Sequence, residues 1–231
     1  MSVRISSRPP YKAEFEYREG TNDIYVIMSA FESDEYGLTA MGLKPGSIAL
    51  DIGAHIGTAT MLMACMGLNV YAFEVLKENY NALCQNVAAN ATPGKVTPAW
   101  RAVCGHNGLE TVHLGSMADP MHRYMGNMYS NAEDTETVPA IDLNTIFAKN
   151  KIERCAIIKI DCEGAEWDIF AAASSDTLSR IDRIVGEYHT VTGVKGTRAR
   201  MFDLMQGLFV DVTEGDDPGG LGHFDFVRVT P

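Results

Sequence analysis

Short apolar runs alternate with helix-forming segments along most of this chain, from residue 44 onward. The apolar runs include SIALDI, NVYAFEV, VTPAWRAVCG, CAIIKID and IDRIVGEYH, and the segments between them include GTATMLMACMG and LKENYNALCQNVAAN. Repeated strand-helix-strand units form a parallel sheet with helices on both faces, joined by right-handed crossovers. The alternation therefore predicts an α/β fold arranged as a three-layer sandwich.

The two ends of the chain depart from this alternation. The last two apolar runs, LFVDVTE and FDFVRV, have only GDDPGGLGH between them, so we expect an antiparallel hairpin at the sheet edge. Residues 13–31 alternate apolar and polar on each side of REGTND, which predicts a small N-terminal hairpin. We therefore expect an extension over residues 1–43 and one structural unit over residues 44–231. Residues 105–140 contain one strand-like stretch, LETVHLGS, and are otherwise predicted to be a long excursion beside the active face.

Charge and cysteine content exclude several classes of protein. The formal net charge of −11 argues against a nucleic-acid partner, because such partners are bound largely through Lys and Arg on the phosphates. The five cysteines are scattered singly and are odd in number, which predicts reduced thiols in a cytoplasmic protein. No apolar stretch approaches about 18 residues, so we expect neither a membrane span nor a secretion signal. The oligomeric state is not determined by these features.

The turn in IALDIGAHIGTAT, residues 48–60, constrains the ligand. A dinucleotide fingerprint reads G-x-G-x-x-G, and its second glycine lets a pyrophosphate approach the backbone. Here the spacing is Gly53-x-x-x-Gly57, and His55 stands where that second glycine is required. Asp51, at the end of the strand, would repel a pyrophosphate and suits a ligand that carries an ammonium group. The turn therefore disfavours a dinucleotide.

A second acidic strand end completes this argument. Glu74 follows 23 positions after Asp51, at the end of the next strand, where a carboxylate can accept hydrogen bonds from both hydroxyls of a ribose. A ribose together with an aminoacyl zwitterion indicates S-adenosylmethionine, which leaves S-adenosylhomocysteine as its product.

Five motifs carry a resemblance to a known family. DIGAHIGTAT, VYAFEVLKENYNALCQNVAAN, VPAIDLNTIF, IIKIDCEGAEWDIF and IVGEYH occur in the order and spacing of the FkbM family of S-adenosylmethionine-dependent methyltransferases. The chain resembles that family over about residues 35–190, and IKIDCEGAEWDIF is the most specific part. The resemblance implies a class I methyltransferase (Rossmann-like) fold, with a seven-stranded, mostly parallel sheet whose last strand is inserted antiparallel. It also implies methyl transfer to a hydroxyl group.

The turn chemistry and the resemblance together assign the cofactor site. Thr58 would donate near the methionine carboxylate from the first helical turn, and His55 would line the methionine pocket. The resemblance places an apolar wall for the adenine at Ala102 and Val103, and a cover over the cofactor at Tyr36. The expected cofactor-binding residues are Asp51, Gly53, His55, Gly57, Thr58, Glu74, Ala102, Val103, Asp161 and Tyr36.

Three residues after the later strands are the expected catalytic groups. Asp161 would hold the methionine ammonium or the acceptor hydroxyl, and Glu163 would orient the acceptor, although helix-dipole complementation is an alternative for Glu163. His189 would remove the acceptor proton, since its unperturbed pKa is near neutrality. We expect no metal ligand: a divalent metal at Asp161, Glu187 and His189 is possible but not favoured.

The leading hypothesis is an S-adenosylmethionine-dependent O-methyltransferase that acts on a small hydroxylated metabolite, sugar or natural product. One alternative is N-methyl transfer to a small amine or an RNA base, which demands less of a base. Another alternative is a cofactor-binding regulatory protein without turnover. The sequence does not name the acceptor, because fold does not determine substrate.

Overall fold

The computed structural model describes residues 2–6, 10–114, 126–127, 134–191 and 196–229. Its strands are β1 (Ser2–Ser6), β2 (Glu14–Arg18), β3 (Ile48–Ile52), β4 (Asn69–Glu74), β5 (Val96–Trp100), β6 (Ala102–Val103), β7 (Gly108–Leu114), β8 (Gly126–Asn127), β9 (Thr135–Ile141), β10 (Ile157–Ile160), β11 (Arg183–His189), β12 (Phe209–Asp211) and β13 (Leu221–Arg228). Its α-helices are α1 (Asp23–Met28), α2 (Thr58–Cys65), α3 (Lys77–Ala89), α4 (Leu143–Lys149), α5 (Glu166–Ala172), α6 (Ser175–Ser179) and α7 (Arg198–Asp203).

Seven of the described strands form the central sheet, in the order β12-β13-β11-β10-β3-β4-β5. The pairs from β11 to β5 are parallel, whereas β13 runs antiparallel to both of its neighbours, β11 and β12. This order confirms the expected α/β fold with a mostly parallel seven-stranded sheet and an antiparallel C-terminal hairpin. The strand order reverses between β3 and β10, and in open α/β sheets ligands bind beyond the carboxyl ends of the strands at such a switch point.

Alternate residues of the central strands pack on opposite faces of the sheet. Ile158 belongs to a buried cluster with Phe147 of α4 and Phe170 of α5. Its neighbour Ile157 belongs to a different cluster that contains Met63 of α2. Because side chains of a strand point alternately to the two faces, strands buried on both sides read as continuous apolar runs. The sheet is therefore the middle layer of a three-layer sandwich.

The N-terminal segment differs from the predicted hairpin. β2 pairs antiparallel with β1, and residues 23–33 are helical: α1 is followed by a π-helical turn at Ser29–Ser33. Ile27 and Ala30 are buried at helical spacing, and the apolar cluster of Ile27 includes Ile56 and Met61 at and after the β3-α2 turn. The hairpin predicted within residues 13–31 was wrong, because residues 23–33 bury a helical stripe against the main domain that the period-two pattern did not reveal. The small N-terminal β extension itself is present as the β1-β2 pair.

The segment around Arg101 also differs from the prediction. The run VTPAWRAVCG was predicted to be one strand, but it divides into β5 in the central sheet and β6 in a second sheet of order β6-β9-β7-β8. β7 confirms the strand-like reading of LETVHLGS, whereas β9 pairs with β6 and β7, so residues 135–141 are not the irregular excursion that was expected. The part of that excursion at residues 115–125 and 128–133 lies outside the described residues.

Two further expectations concern cysteines and membranes. The five cysteines, Cys65, Cys84, Cys104, Cys155 and Cys162, are all free, as their odd number and single spacing predicted. Among the described residues, no helix is both long enough and apolar enough to cross a lipid bilayer.

Candidate active site

The turn between β3 and α2 is held tightly against the neighbouring strand ends. Gly53, His55 and Gly57 all have positive φ, of 79°, 51° and 93°. The backbone N–H groups of Gly53 and Ala54 both donate to the carbonyl oxygen of Phe73 at 3.0 Å. A methyl group on the α-carbon of Gly53 would lie 1.8 Å from the carbonyl oxygen of Asp161, so only glycine fits this contact.

A buried ion pair lies beneath this turn. Asp51 is fully buried; one carboxylate oxygen accepts a hydrogen bond from Thr60 Oγ1 at 2.5 Å, and the other lies 3.6 Å from Lys159 Nζ. Lys159 also donates to the carbonyl oxygen of Gly53 at 3.0 Å and lies 3.8 Å from Asp161. Burial alone lowers the pKa of Lys159, but the charges of Asp51 and Asp161 outweigh it and raise this pKa. The ammonium group facing Asp51 is therefore that of Lys159.

A cavity of about 320 Å³ opens above the carboxyl ends of the strands. Of the residues predicted from the sequence, the cavity is lined by Tyr36, Gly53, His55, Thr58, Glu74, Ala102, Val103, Asp161 and Glu163. Asp51, Gly57 and His189 are not among its described lining residues. The structure thus brings most of the predicted residues to one cavity, whereas Asp51 supports the turn from below and Gly57 packs against Leu83.

Glu74 lines the cavity at the end of β4 and is 4% exposed. Its carboxylate accepts hydrogen bonds from the backbone N–H of His55 at 2.8 Å and of Leu76 at 2.7 Å. Burial nevertheless raises the pKa of Glu74 to about 7. These two bonds orient the carboxylate at the end of β4, and the apolar wall formed by Ala102 and Val103 lies on the same cavity.

His55 connects the cavity to the N-terminal segment. Its Nε2 lies 3.7 Å from Asp23, a fully buried carboxylate that also accepts hydrogen bonds from the guanidinium of Arg18. Burial lowers the pKa of His55 to about 4, so the imidazole is neutral at physiological pH. A neutral ring can line a ligand pocket without placing a positive charge there.

An acidic cluster lies near the ends of β10 and β11, around the imidazole of His189. Its Nδ1 lies 3.2 Å from the buried carboxylate of Glu166, and its Nε2 lies 3.9 Å from Asp161, 3.6 Å from Glu163 and 3.8 Å from Glu187. Burial alone lowers the pKa of His189, but the hydrogen bond to Glu166 and the surrounding carboxylates raise it to about 9. Because the imidazole is then protonated at neutral pH, it is poorly suited to the role of proton acceptor that the sequence suggested.

Two members of this cluster have further contacts. The hydroxyl of Tyr36 donates to Asp161 at 3.0 Å, and burial raises the pKa of Tyr36 well above its usual range, which keeps this hydroxyl a donor. Burial and the neighbouring charge of Asp161 raise the pKa of Glu187 to about 7. Asp161 is thus oriented by Tyr36, and Glu187 is the carboxylate of the cluster whose pKa lies close to neutrality.

Metal-ligating side chains approach each other at three places within the described residues. Within each set, the ligand atoms lie within 4.8 Å of one another. The first set is Asp161, Glu163 and His189, the second is Glu35, Glu187 and His223, and the third is Cys104, His106 and Glu110. The first set shares two members with the group considered from the sequence, and Glu187 falls in the second set instead.

Sequence reasoning did not find several lining residues. The N-terminal segment contributes Asn22, Tyr25, Val26, Ser29 and Ala30, and other elements contribute Asn79, Arg101, Val112, Lys159 and Cys162. A helical reading of residues 23–31 would have pointed to the first group, since Val26, Ser29 and Ala30 share one helical face. Glu187 was considered from the sequence only as a possible metal ligand with Asp161 and His189, and the structure adds that it lines the cavity.

Comparisons with known proteins place the chain in a family. The family model described as a methyltransferase FkbM domain matches residues 51–212, which is well over half of the chain. The protein therefore belongs to the FkbM methyltransferase family, and the resemblance seen in the sequence is confirmed. Its fold is that of a Rossmann-like methyltransferase.

Individual relatives are more distant. The 31-O-demethyl-FK506 methyltransferase FkbM of Streptomyces tacrolimicus is 26% identical over 238 residues, which cover 90% of this chain and 85% of that protein. The AMB antimetabolite synthetase AmbE of Pseudomonas aeruginosa is 22% identical over 71% of this chain, which spans only 9% of that protein. The magnesium protoporphyrin IX methyltransferase of Synechocystis PCC 6803, solved with bound S-adenosylmethionine, aligns with 13% identity and a TM-score of 0.46 over 90% of this chain and 83% of that one.

Proposed function

We propose that this protein is an S-adenosylmethionine-dependent O-methyltransferase that acts on a small hydroxylated compound. The observation that carries the proposal is the cavity at the switch point, which is lined by Glu74 at the end of β4 and by Asp161, Glu163 and Glu187 near the ends of β10 and β11. The groups of S-adenosylmethionine follow the same order: its ribose hydroxyls would face Glu74, and its positively charged sulfonium and ammonium groups would face the acidic cluster.

The lining residues fit the parts of this cofactor. Glu74 would accept hydrogen bonds from the ribose hydroxyls, and Ala102 and Val103 would contact the adenine. Gly53, His55 and Thr58 would face the methionine part from the β3-α2 turn, and Asp161, oriented by Tyr36, would accept a hydrogen bond from its ammonium. Asp51 and Gly57 would act indirectly, by holding the turn in place.

Catalysis would depend mainly on alignment. Bound S-adenosylmethionine supplies an electrophilic methyl group on a sulfonium sulfur. The chain would hold the acceptor oxygen in line with that methyl group, and such positioning accounts for much of the rate in transfers of this kind. His189, protonated between Asp161 and Glu163, would fix these two carboxylates in place and balance part of their charge.

The acidity of the cavity supports a small acceptor over an RNA base. Glu35, Asp161, Glu163 and Glu187 all line the cavity, against the cations Lys159 and Arg101. The phosphodiester backbone of RNA would meet electrostatic repulsion there, in addition to repulsion by the net charge of −11 of the whole chain. The relative from Streptomyces tacrolimicus, by its name, methylates an oxygen of FK506, which supports transfer to oxygen here.

Calorimetric titration with S-adenosylhomocysteine tests the cofactor site. We expect saturable 1:1 binding that is weakened at least about tenfold by Glu74→Ala, since the substitution removes the charge-assisted hydrogen bonds to the ribose. Glu78→Ala is the matched control, because Glu78 is an exposed carboxylate on α3, four residues further along the chain. Absence of binding by the unmodified protein, or binding of NAD in its place, would refute the proposal.

Methyl transfer is tested with labelled cofactor on a panel of alcohols, amino sugars and amines. Products methylated on oxygen support the proposed function, and products methylated only on nitrogen would replace it with the alternative. Cofactor binding without any transfer across the panel would favour a regulatory protein. Dialysis against a chelator before the assay tests whether a divalent metal is required.

A further inference from the structure

Four residues form a row along the carboxyl edge of the sheet. In the strand register, Ile52 pairs with Phe73 and with Ile160, and Ile160 pairs with Gly186. The residues that follow each of these are therefore level with one another across four adjacent strands; they are Glu74, Gly53, Asp161 and Glu187. All four line the cavity. Because neighbouring strands lie about 4.8 Å apart, the row spans roughly 14 Å from Glu74 to Glu187.

Glu187 therefore lies at the end of the row that is farthest from the ribose acceptor. A ligand whose ribose is held at Glu74 and whose chain extends along the row would direct its far end towards β10 and β11. The residues of the row at that end are Asp161 and Glu187. The reacting end of the cofactor is thus expected to face these two carboxylates.

A second cavity begins at the same residue. Its volume is about 360 Å³, and it is lined by Glu187, Arg198, Thr213, Glu214, Asp216, Pro218, Leu221, Gly222 and His223. Among the described residues, Glu187 is the only one that lines both cavities. An acceptor bound on the side of the C-terminal hairpin would therefore meet the first cavity at Glu187.

The other carboxylates of the cluster are less suited to meet an acceptor. Asp161 already accepts the hydrogen bond of Tyr36 and lies 3.8 Å from the ammonium nitrogen of Lys159. Glu163 lines the first cavity only. The charged and titratable groups around Glu187 are Lys159 of β10, Asp161 directly after β10, His189 of β11, His223 of β13, and Glu35 and Tyr36 of the N-terminal segment.

We propose that Glu187 is a catalytic residue that faces the transferred methyl group and takes the proton of the acceptor hydroxyl, with the acceptor entering from the second cavity. This inference rests on the proposed methyl-transfer function. The acceptor oxygen forms a bond to the methyl carbon, the carbon–sulfur bond breaks with its electron pair remaining on sulfur, and the hydroxyl proton passes to a carboxylate oxygen of Glu187. The balanced products are the methyl ether, S-adenosylhomocysteine and protonated Glu187.

Sinefungin tests this placement without knowledge of the acceptor. In sinefungin a carbon bearing an amine replaces the methyl-bearing sulfur, so its ammonium group occupies the position of the transferred methyl. A carboxylate at that position would bind the ammonium, and we expect sinefungin to bind the unmodified protein more tightly than S-adenosylhomocysteine. Glu187→Gln should lower this preference at least about tenfold while leaving the affinity for S-adenosylhomocysteine within about twofold.

Three other variants make the test specific. Glu214→Gln removes the same charge from a residue that lines only the second cavity, and it should leave the preference unchanged. Glu163→Gln should change the preference less than Glu187→Gln does. Glu187→Asp keeps the charge and withdraws the carboxylate by one methylene group, so it should also lower the preference and serves if Glu187→Gln does not fold.

The outcomes separate this inference from the proposed function. Loss of the sinefungin preference in the Glu187 variants, with S-adenosylhomocysteine binding retained, supports the role of Glu187. An unchanged preference, a preference lost equally in Glu163→Gln, or no preference in the unmodified protein would overturn it. If the unmodified protein binds neither compound, the proposed function itself fails.

Discussion

Replacement of Gly53 by alanine is expected to be the most damaging single-methyl change in the β3-α2 turn. Gly53 has a φ of +79°, and the added methyl group would lie 1.8 Å from the carbonyl oxygen of Asp161. A left-handed backbone costs a non-glycine residue roughly 1–2 kcal/mol. The clash adds about 3 kcal/mol, the upper end for overpacking, because a backbone oxygen in a buried strand end cannot rotate away.

Two other glycines separate these contributions. Gly46 has a similar φ of +84° with nothing within 4 Å of the added methyl group, so Gly46→Ala should cost only the backbone strain of about 1–2 kcal/mol. At Gly57, with a φ of +93°, the methyl group would lie 2.6 Å from Cδ1 of Leu83. That side chain can shift, so we expect Gly57→Ala to cost about 1 kcal/mol more than Gly46→Ala.

Equilibrium unfolding in urea, followed by circular dichroism, measures all three variants. The expected loss for Gly53→Ala is about 4–5 kcal/mol, which lowers the unfolding midpoint by roughly 1.5 M if the slope is about 3 kcal/mol/M. The predicted order of stability is Gly46→Ala, then Gly57→Ala, then Gly53→Ala. A free energy of unfolding for Gly53→Ala within about 0.5 kcal/mol of that for Gly46→Ala would refute the argument that the contact with Asp161 requires glycine.

Three further predictions concern the ionisable groups of the site. Lys159→Met should lower the free energy of unfolding in urea by about 3–5 kcal/mol, since it leaves the carboxylate of Asp51 buried without its cation. The double variant Lys159→Met/Asp51→Asn should recover part of this loss. A loss below about 1 kcal/mol for Lys159→Met would contradict the pairing. The pKa of Glu74 is raised to about 7, and the ribose requires the ionised carboxylate. S-adenosylhomocysteine should therefore bind more tightly in calorimetric titrations as the pH rises from 6 to 8. Glu74→Gln should remove the pH dependence that comes from this carboxylate. Tyr36→Phe should cost about 1.5 kcal/mol in urea unfolding through loss of the hydrogen bond to Asp161, and no loss would show that this bond is not formed in solution.

The sequence predicted the part of the fold that depends on local pattern. The runs that became β3, β4, β10 and β11 are mostly apolar because both faces of a parallel sheet are buried, and their helices follow at the spacing that a crossover requires. The turn of Gly53 and the acidic strand end at Glu74 were also visible, because a tight turn and a strand terminus each impose a residue type at a fixed position. This is why most of the predicted residues line one cavity.

The tertiary structure decided the properties that depend on neighbours distant in sequence. Asp51, expected to meet a ligand, faces the ammonium of Lys159, because strand register sets that pair and no local pattern encodes it. His189 carries the residue type of a general base, but the carboxylates assembled around it raise its pKa to about 9. The sequence by itself determined the sheet, the glycine turn and the family, since these follow from the chain read locally. Only the packed structure determined the charge state of each site residue and brought Glu187 between two cavities, because both depend on which groups the fold places side by side.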